Sequence, residues 1–128
     1  MRKTKPRRSP CPVACTLDLI GDRWTLLVIR DLYCGKQSFK ELSASPEGIA
    51  TNILSERLAR LVEQGLAERR PSPEHAGRPL YRLTAKGQSL EPLLEAITDW
   101  GLTHIEGTAA LLHPDGPSRR ARNEENPT

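Results

Sequence analysis

The stretch TNILSERLARLVEQG at 51–65, followed by LAERRPSPEHAGRPLYRL at 66–83, decides the architecture. In the first part Leu54, Leu58, Leu61 and Val62 fall at i, i+4, i+7 and i+8, the spacing of an amphipathic helix, and Gly65 closes it at the C′ position. On a 100° wheel the opposite face is Asn52, Glu56, Arg60 and Glu63, with Ile53 and Arg57 flanking. The period then changes. Leu66 to Arg70 alternates as a short strand, PSPEHAGRP is rich in turn formers, and Leu80 to Leu83 returns as a second strand. A polar-faced helix followed by a long-looped hairpin is therefore expected.

Upstream, Val13, Leu17 and Ile20, with Leu19, predict a short helix stopped by Gly21. Asp22 is suited to cap the next helix, RWTLLVIRDLYC, in which Trp24, Leu27, Val28 and Leu32 form the expected buried stripe and Gly35 the end. Ser38 caps a brief third helix with Phe39 and Leu42 facing inward, and SASPEGIA at 43–50 is a turn. Downstream of the hairpin, Thr84 caps a last helix running through Leu90, Leu93, Leu94, Ile97, Trp100 and Ile105 to about Leu112. Pro92 lies inside that run and lacks a backbone donor, so it either kinks the helix or resets its start. The division expected is a disordered basic arm at 1–10, one folded domain at 11–112 and a disordered tail at 113–128.

Composition narrows the class. The chain has 128 residues, 37% of them hydrophobic, which suits one domain with a modest core. No run approaches the ~18 apolar residues of a membrane span, and the basic N-terminus leads into no apolar signal region. A cytoplasmic protein without membrane contact is the expectation. Three cysteines (Cys11, Cys15 and Cys34) are an odd count for a disulfide framework, and they share no ligand spacing with His75, His104 or His113, so neither disulfides nor a metal is expected.

Charge is unevenly placed. Residues 2–8 carry Arg2, Lys3, Lys5, Arg7 and Arg8 without an acid, so the chain from Cys11 onward sums to −2, with 14 basic against 16 acidic residues. Residues 69–86 hold Arg69, Arg70, Arg78, Arg82 and Lys86 against Glu74, whereas 87–113 hold Glu91, Glu95, Asp99 and Glu106 with no Lys or Arg. A polyanion is drawn to the arm and the hairpin and repelled by the last helix.

Three helices, a tight turn, a polar-faced fourth helix, a basic hairpin and a closing helix make a mainly α fold with a small β-hairpin, a winged helix-turn-helix. A helix about 10 Å across fits a major groove about 12 Å wide, and a basic hairpin tip suits phosphates or the minor groove. No glycine-rich phosphate loop, nucleophile triad or carboxylate pair competes, so a non-enzyme without a cofactor is expected. A protein-interaction module that keeps this fold without the DNA role is the rival, favoured by the −2 sum and by Glu56 and Glu63 on the fourth helix.

The strings CPVACTLDLIGDRWTLLVIRDL at 11–32, SFKEL at 38–42, GIATNILSERLARLVEQGLAERR at 48–70 and YRLTAKGQSLEPLLEAITDWG at 81–101 resemble the HxlR-type winged-helix transcription regulators, relatives of the MarR group. The resemblance covers about 90 residues in the family's order. It implies a dimeric DNA-binding regulator whose N- and C-terminal helices pack between two chains and whose fourth helix, here Thr51 to Gln64, reads the major groove. Carried onto this chain, Thr51, Asn52, Ser55, Glu56 and Arg57 are the expected base and phosphate contacts, with Arg60 further along on phosphate. Lys40, Arg70 and, at the Gly-Pro wing tip, Arg78 complete the set. Two departures stand out. Ala50 occupies a position where a serine commonly caps this helix, which suggests a start shifted by one residue, and Gly77-Arg78-Pro79-Leu80 replaces the commoner apolar-acidic lead into the second wing strand.

The stripe Leu90, Leu93, Leu94, Ile97 and Trp100 is longer than one small domain covers, so it is assigned with Leu17 to a homodimer interface, with help from Leu19. A dimer acting as a repressor on a near-palindromic duplex operator follows. Cys11 matches the family's N-terminal cysteine, which in some members responds to oxidants or electrophiles. Its place at a helix start beside a basic arm lowers a thiol pKa, so a thiol switch is the alternative reading.

Overall fold

The computed structural model describes residues 7–74 and 77–110. Most of the basic arm (residues 1–6), His75, and the tail with Leu112 and His113 lie outside the described residues. The elements in order are α1 (Pro12–Ile20), α2 (Thr25–Tyr33), α3 (Phe39–Ser43), α4 (Thr51–Glu63), β1 (Ala67–Arg70), β2 (Leu80–Leu83), α5 (Ala85–Gln88) and α6 (Glu91–His104).

The local reasons are visible in the sequence. Pro12 opens α1, where its missing donor costs nothing. Ser38 and Glu41 form a full capping box on α3, each side chain accepting from the other's backbone amide. The Thr84 hydroxyl accepts from the Gly87 amide to start α5, and Gly65 takes a positive φ of 76° after α4. β1 and β2 pair antiparallel with Ala67 opposite Leu83, Glu68 opposite Arg82, Arg69 opposite Tyr81 and Arg70 opposite Leu80.

The core lies between α2, α3, α4 and the root of the hairpin, where Ile29, Leu42, Leu54, Leu58 and Leu61 are fully buried. Each contributes about 1.5–3 kcal/mol from burial. A polar staple sits at its edge. Asp31 of α2, itself buried, accepts from the Ser45 hydroxyl and from Arg30 Nε (3.0 Å) and Nη2 (2.9 Å). Arg30 also donates twice to Glu47, both at 2.8 Å. Lys36 Nζ reaches Ser45 at 2.9 Å. Since Ser45 and Glu47 lie in the turn between α3 and α4, the staple fixes that turn against α2.

Several elements differ from the sequence reading. The last helix is split: α5 ends at Gln88, and Pro92 stands in the first turn of α6, where a proline is tolerated. α6 ends at His104 rather than near Leu112, with Ile105 in extended conformation and Gly107 at positive φ. In α2 the buried set is Thr25, Val28, Ile29, Asp31 and Leu32, while Trp24 and Leu27 are half-buried. Val62 is exposed, because the buried seam of α4 is the narrower Leu54–Leu58–Leu61 line. The helix start is not shifted: Ala50 is the N-cap of α4 and makes no side-chain cap bond.

Candidate nucleic-acid interface

α4 presents its polar side outward because three leucines pin the other. Thr51, Asn52, Ser55 and Glu56 are all exposed and recur at helical spacing, so the structure brings them onto one face of the N-terminal half, with Ala59 and Glu63 continuing it. The row Thr51, Asn52, Ser55 and Glu56 offers a varied hydrogen-bonding vocabulary: a side-chain amide, two hydroxyls and one carboxylate.

Arg57 and Arg60 are not part of that face. Arg57 Nε donates to Asp22 Oδ2 at 2.8 Å, and Arg60 Nη2 donates to Asp22 Oδ1 at 3.1 Å and to Thr25 Oγ1 at 3.2 Å. Glu56 pairs with Arg57 and lies 3.9 Å from Arg60 Nη1. Asp22 also caps the turn into α2, accepting from the Trp24 and Thr25 amides at 3.1 and 3.2 Å and from the Thr25 hydroxyl. Partial burial by itself raises the Asp22 carboxyl, but the hydrogen bonds from Thr25, Arg57 and Trp24 and the charge of Arg57 win and hold it far below the usual carboxylate range. The Asp22 hydrogen bond in turn holds Arg57 above the ordinary guanidinium value. Sequence reasoning identified Asp22 only as a cap; its partners lie 35 and 38 residues away and leave no local signal.

The hairpin carries the other cations. Arg70 and Arg82 share one face of the ribbon with Glu68, which bonds both. Glu68 is held below the ordinary carboxylate value, chiefly by the hydrogen bond from Arg82. Arg69 projects from the other face, and Arg78 stands exposed beside Pro79 at the tip. Among the described residues Arg69, Arg78 and the exposed Lys40 of α3 have no ion-pair partner. Arg8, at the described end of the arm, pairs with Asp18 at 2.8 Å.

The residues assigned to a dimer interface separate into two groups. Leu17, Ile97 and Trp100 are exposed, with Trp100 at 61%. Leu94 is only 6% exposed and belongs to the chain's own core, with the half-buried Leu90 and Leu93 packed against that core. Val13, 67% exposed, and Leu19 stand out beside Leu17 on the exposed apolar side of α1. Cys11 is exposed at the N-cap of α1, and the Ala14 and Val13 amides lower its thiol pKa. The Cys15 thiol donates to the Ser9 carbonyl at 3.2 Å. Burial and the Asp31 charge push the Cys34 thiol up. Among the described residues no His, Cys, Asp and Glu cluster has the form of a metal site, and no helix is long and apolar enough to cross a membrane.

The model of the HxlR-like helix-turn-helix family matches residues 19–109. The chain belongs to this family. Among relatives of the HxlR-like chain, an uncharacterised HTH-type transcriptional regulator of Synechocystis is 32% identical over 111 residues, 84% of this chain and 82% of the relative. A second such regulator, from Mycobacterium tuberculosis, is 36% identical over 111 residues; the match takes in 87% of this chain but only 66% of the relative's length. Of solved structures, that of PA1607 superposes with a TM-score of 0.74 at 41% identity, covering 89% of this chain and 83% of that one. The reduced form of the transcriptional regulator YodB from Bacillus subtilis superposes at 0.63 with 31% identity, covering 78% and 99%. The fold is thus a winged helix-turn-helix, and the family supports a DNA-binding regulator of transcription, with no enzymatic activity indicated.

Proposed function

We propose that this HxlR-like protein is a dimeric, cytoplasmic repressor that sets α4 into the major groove of a near-palindromic operator and lays the hairpin on the neighbouring phosphates or minor groove. The observation that carries it is the exposed row Thr51, Asn52, Ser55 and Glu56 on a helix beside a hairpin whose Arg69 and Arg78 have no ion-pair partner among the described residues. An asparagine reads adenine, a glutamate accepts from the cytosine amino group, and hydroxyls serve either. Arg70 and Lys40 add phosphate contacts, while Arg57 and Arg60, on the flank of α4, are held by Asp22. The exposed apolar side chains Val13, Leu17, Ile97 and Trp100 on α1 and α6 support a second copy covering them, and occupancy of a promoter by such a dimer blocks polymerase.

Fluorescence anisotropy against duplexes tiling the DNA upstream of the gene, with a scrambled duplex at two salt concentrations, tests this reading. Tight, salt-sensitive binding to one tile is the expected result. A protein-docking module without a DNA role shows no binding to any tile, or weak binding that ignores salt.

One observation favours a second reading of the same protein. Cys11 is an exposed thiol lowered by helix-terminal amides, and solved relatives include YodB in diamide-treated and quinone-bound forms and the redox regulator HypR. A thiol switch acting through Cys11 predicts that Cys11→Ser keeps its DNA affinity in reductant and loses any response to oxidant; a variant that still responds excludes it.

A further inference from the structure

Asp22 sits where two constraints meet. A Cβ on Gly21 would lie 2.4 Å from the Leu17 carbonyl oxygen, so the chain leaves α1 by a route that only glycine permits, and this delivers the next residue against the side of α4. There the Asp22 carboxylate is saturated: Oδ2 takes the Trp24 and Thr25 amides and Arg57, and Oδ1 takes Arg60 and the Thr25 hydroxyl. Thr25 is itself buried, and it gives Arg60 a second anchor. The two guanidiniums are thereby held between the α1–α2 turn and Glu56, which pairs with Arg57 and lies 3.9 Å from Arg60, and not over Thr51, Asn52 and Ser55.

The energetic consequence concerns selectivity. A loose arginine beside a reading helix binds any phosphate, so it strengthens operator and non-operator DNA alike and dilutes the discrimination that base contacts supply. The Asp22 carboxylate, which bonds both arginines and draws on Arg57 more strongly than Glu56 does, restrains that contribution. We infer that Asp22 is a specificity-determining residue of this protein: by anchoring Arg57 and Arg60 beside α4, it keeps sequence-independent DNA binding low and leaves recognition to the neutral and acidic groups of the face. This rests on the DNA-reading function proposed above. It concerns how selective that function is.

The test is Asp22→Asn, which keeps a capping oxygen for the α2 turn while removing the charge that holds the arginines. Each freed arginine that reaches a phosphate steepens the salt dependence by about 0.9 in log units. Between about 50 and 200 mM salt, that adds roughly a 3.5-fold loss of affinity for one freed arginine and roughly 12-fold for two. The expected result is tighter low-salt binding to a scrambled duplex, the steeper slope, a smaller ratio of operator to scramble affinity, and later elution from heparin in a salt gradient. The same change made in an Arg57→Gln, Arg60→Gln background should have no such effect, because the residue acts through those two side chains. An unchanged slope and heparin elution in a folded Asp22→Asn protein overturns the inference. So does an effect that persists without the arginines, or weaker binding to the scramble, which would make Asp22 a support for phosphate contact. Wild-type binding to an operator tile is scored separately, and heparin reads the Asp22 effect even where no tile is bound.

Discussion

Gly87 is buried in α5 directly beneath the start of the wing, and the space for a side chain there is already taken. A Cβ at this position would lie 2.1 Å from the Leu66 carbonyl oxygen, 3.1 Å from the Leu66 carbonyl carbon and 3.0 Å from Leu83 Cδ2. The nearest obstacle is backbone, so no rotamer change relieves it; α5 must move away by more than about 1 Å to reach ordinary contact. Overpacking of this kind costs about 1–3 kcal/mol. The same Leu66 oxygen accepts the Thr84 amide at 3.0 Å, and straining that bond adds about 0.5–1.5 kcal/mol. Gly87→Ala should therefore destabilise the fold by about 2–4 kcal/mol in total and lower Tm by roughly 10 °C or more at this size. Gly101→Ala is the matched control. It lies within α6 with nothing inside 4 Å of its added Cβ, so the same substitution should stabilise by about 0.5–1 kcal/mol through helix propensity. Urea unfolding followed by circular dichroism at fixed protein concentration measures both. The reasoning is refuted if Gly87→Ala unfolds at the wild-type midpoint, or if the two substitutions shift it in the same direction.

Three further outcomes are expected. Ala50→Ser places an acceptor at an N-cap that now has none, and should raise stability by about 0.5–2 kcal/mol in the same urea assay; no gain would mean that the α4 amides are already satisfied. Glu47 is held below its ordinary value of 4.5, first by the hydrogen bonds from Arg30, so its stabilising effect is complete above that value and is lost as pH falls through the lowered folded one. Glu47→Gln should flatten this acid limb of the stability profile, and an unaltered limb would discount the Arg30–Glu47 pair. Trp100→Asp should weaken the proposed dimer roughly thirtyfold or more, read by analytical ultracentrifugation, whereas an unchanged dimer would place the interface elsewhere.

The architecture was legible because its signals are local. Leu54, Leu58 and Leu61 declare α4 by spacing, Ser38 with Glu41 and Thr84 announce helix starts, and the alternation at 67–70 and 80–83 marks the ribbon. Where a side chain goes once two elements pack is a different matter. Val62 fits the apolar wheel of α4 as well as Leu61 does, yet it stays 37% exposed where Leu61 is 1%. Leu94 continues the same stripe as Ile97 and Trp100, but one turn of helix separates the part that meets the core from the part that does not. Asp31 is an acid in the middle of an apolar helix, and only Arg30, Ser45 and Lys36 converging on it make its burial affordable. The site was legible in the same proportion: the exposed row on α4 follows from helical spacing, while the attachment of Arg57 and Arg60 to Asp22 depends on contacts across 35 and 38 residues.

Ser38 does two jobs: it caps α3, and it forms an isolated antiparallel bridge to Leu80, next to the bond from the Tyr81 amide to the Gln37 carbonyl at 2.9 Å. The ribbon is thereby riveted to the helix-turn-helix at the loop end of β2, in addition to its attachment at the root. For the DNA-bound protein proposed here, the two contacting parts act as a caliper with its jaws locked rather than as a hand with a free thumb. The separation between groove reader and wing is set by the protein, so any mismatch with a given duplex must be absorbed by bending or twisting the DNA. Base pairs that no side chain touches then influence affinity through their stiffness, and operators should differ in the flexibility of the steps between the α4 and wing contacts as well as in the bases that are read.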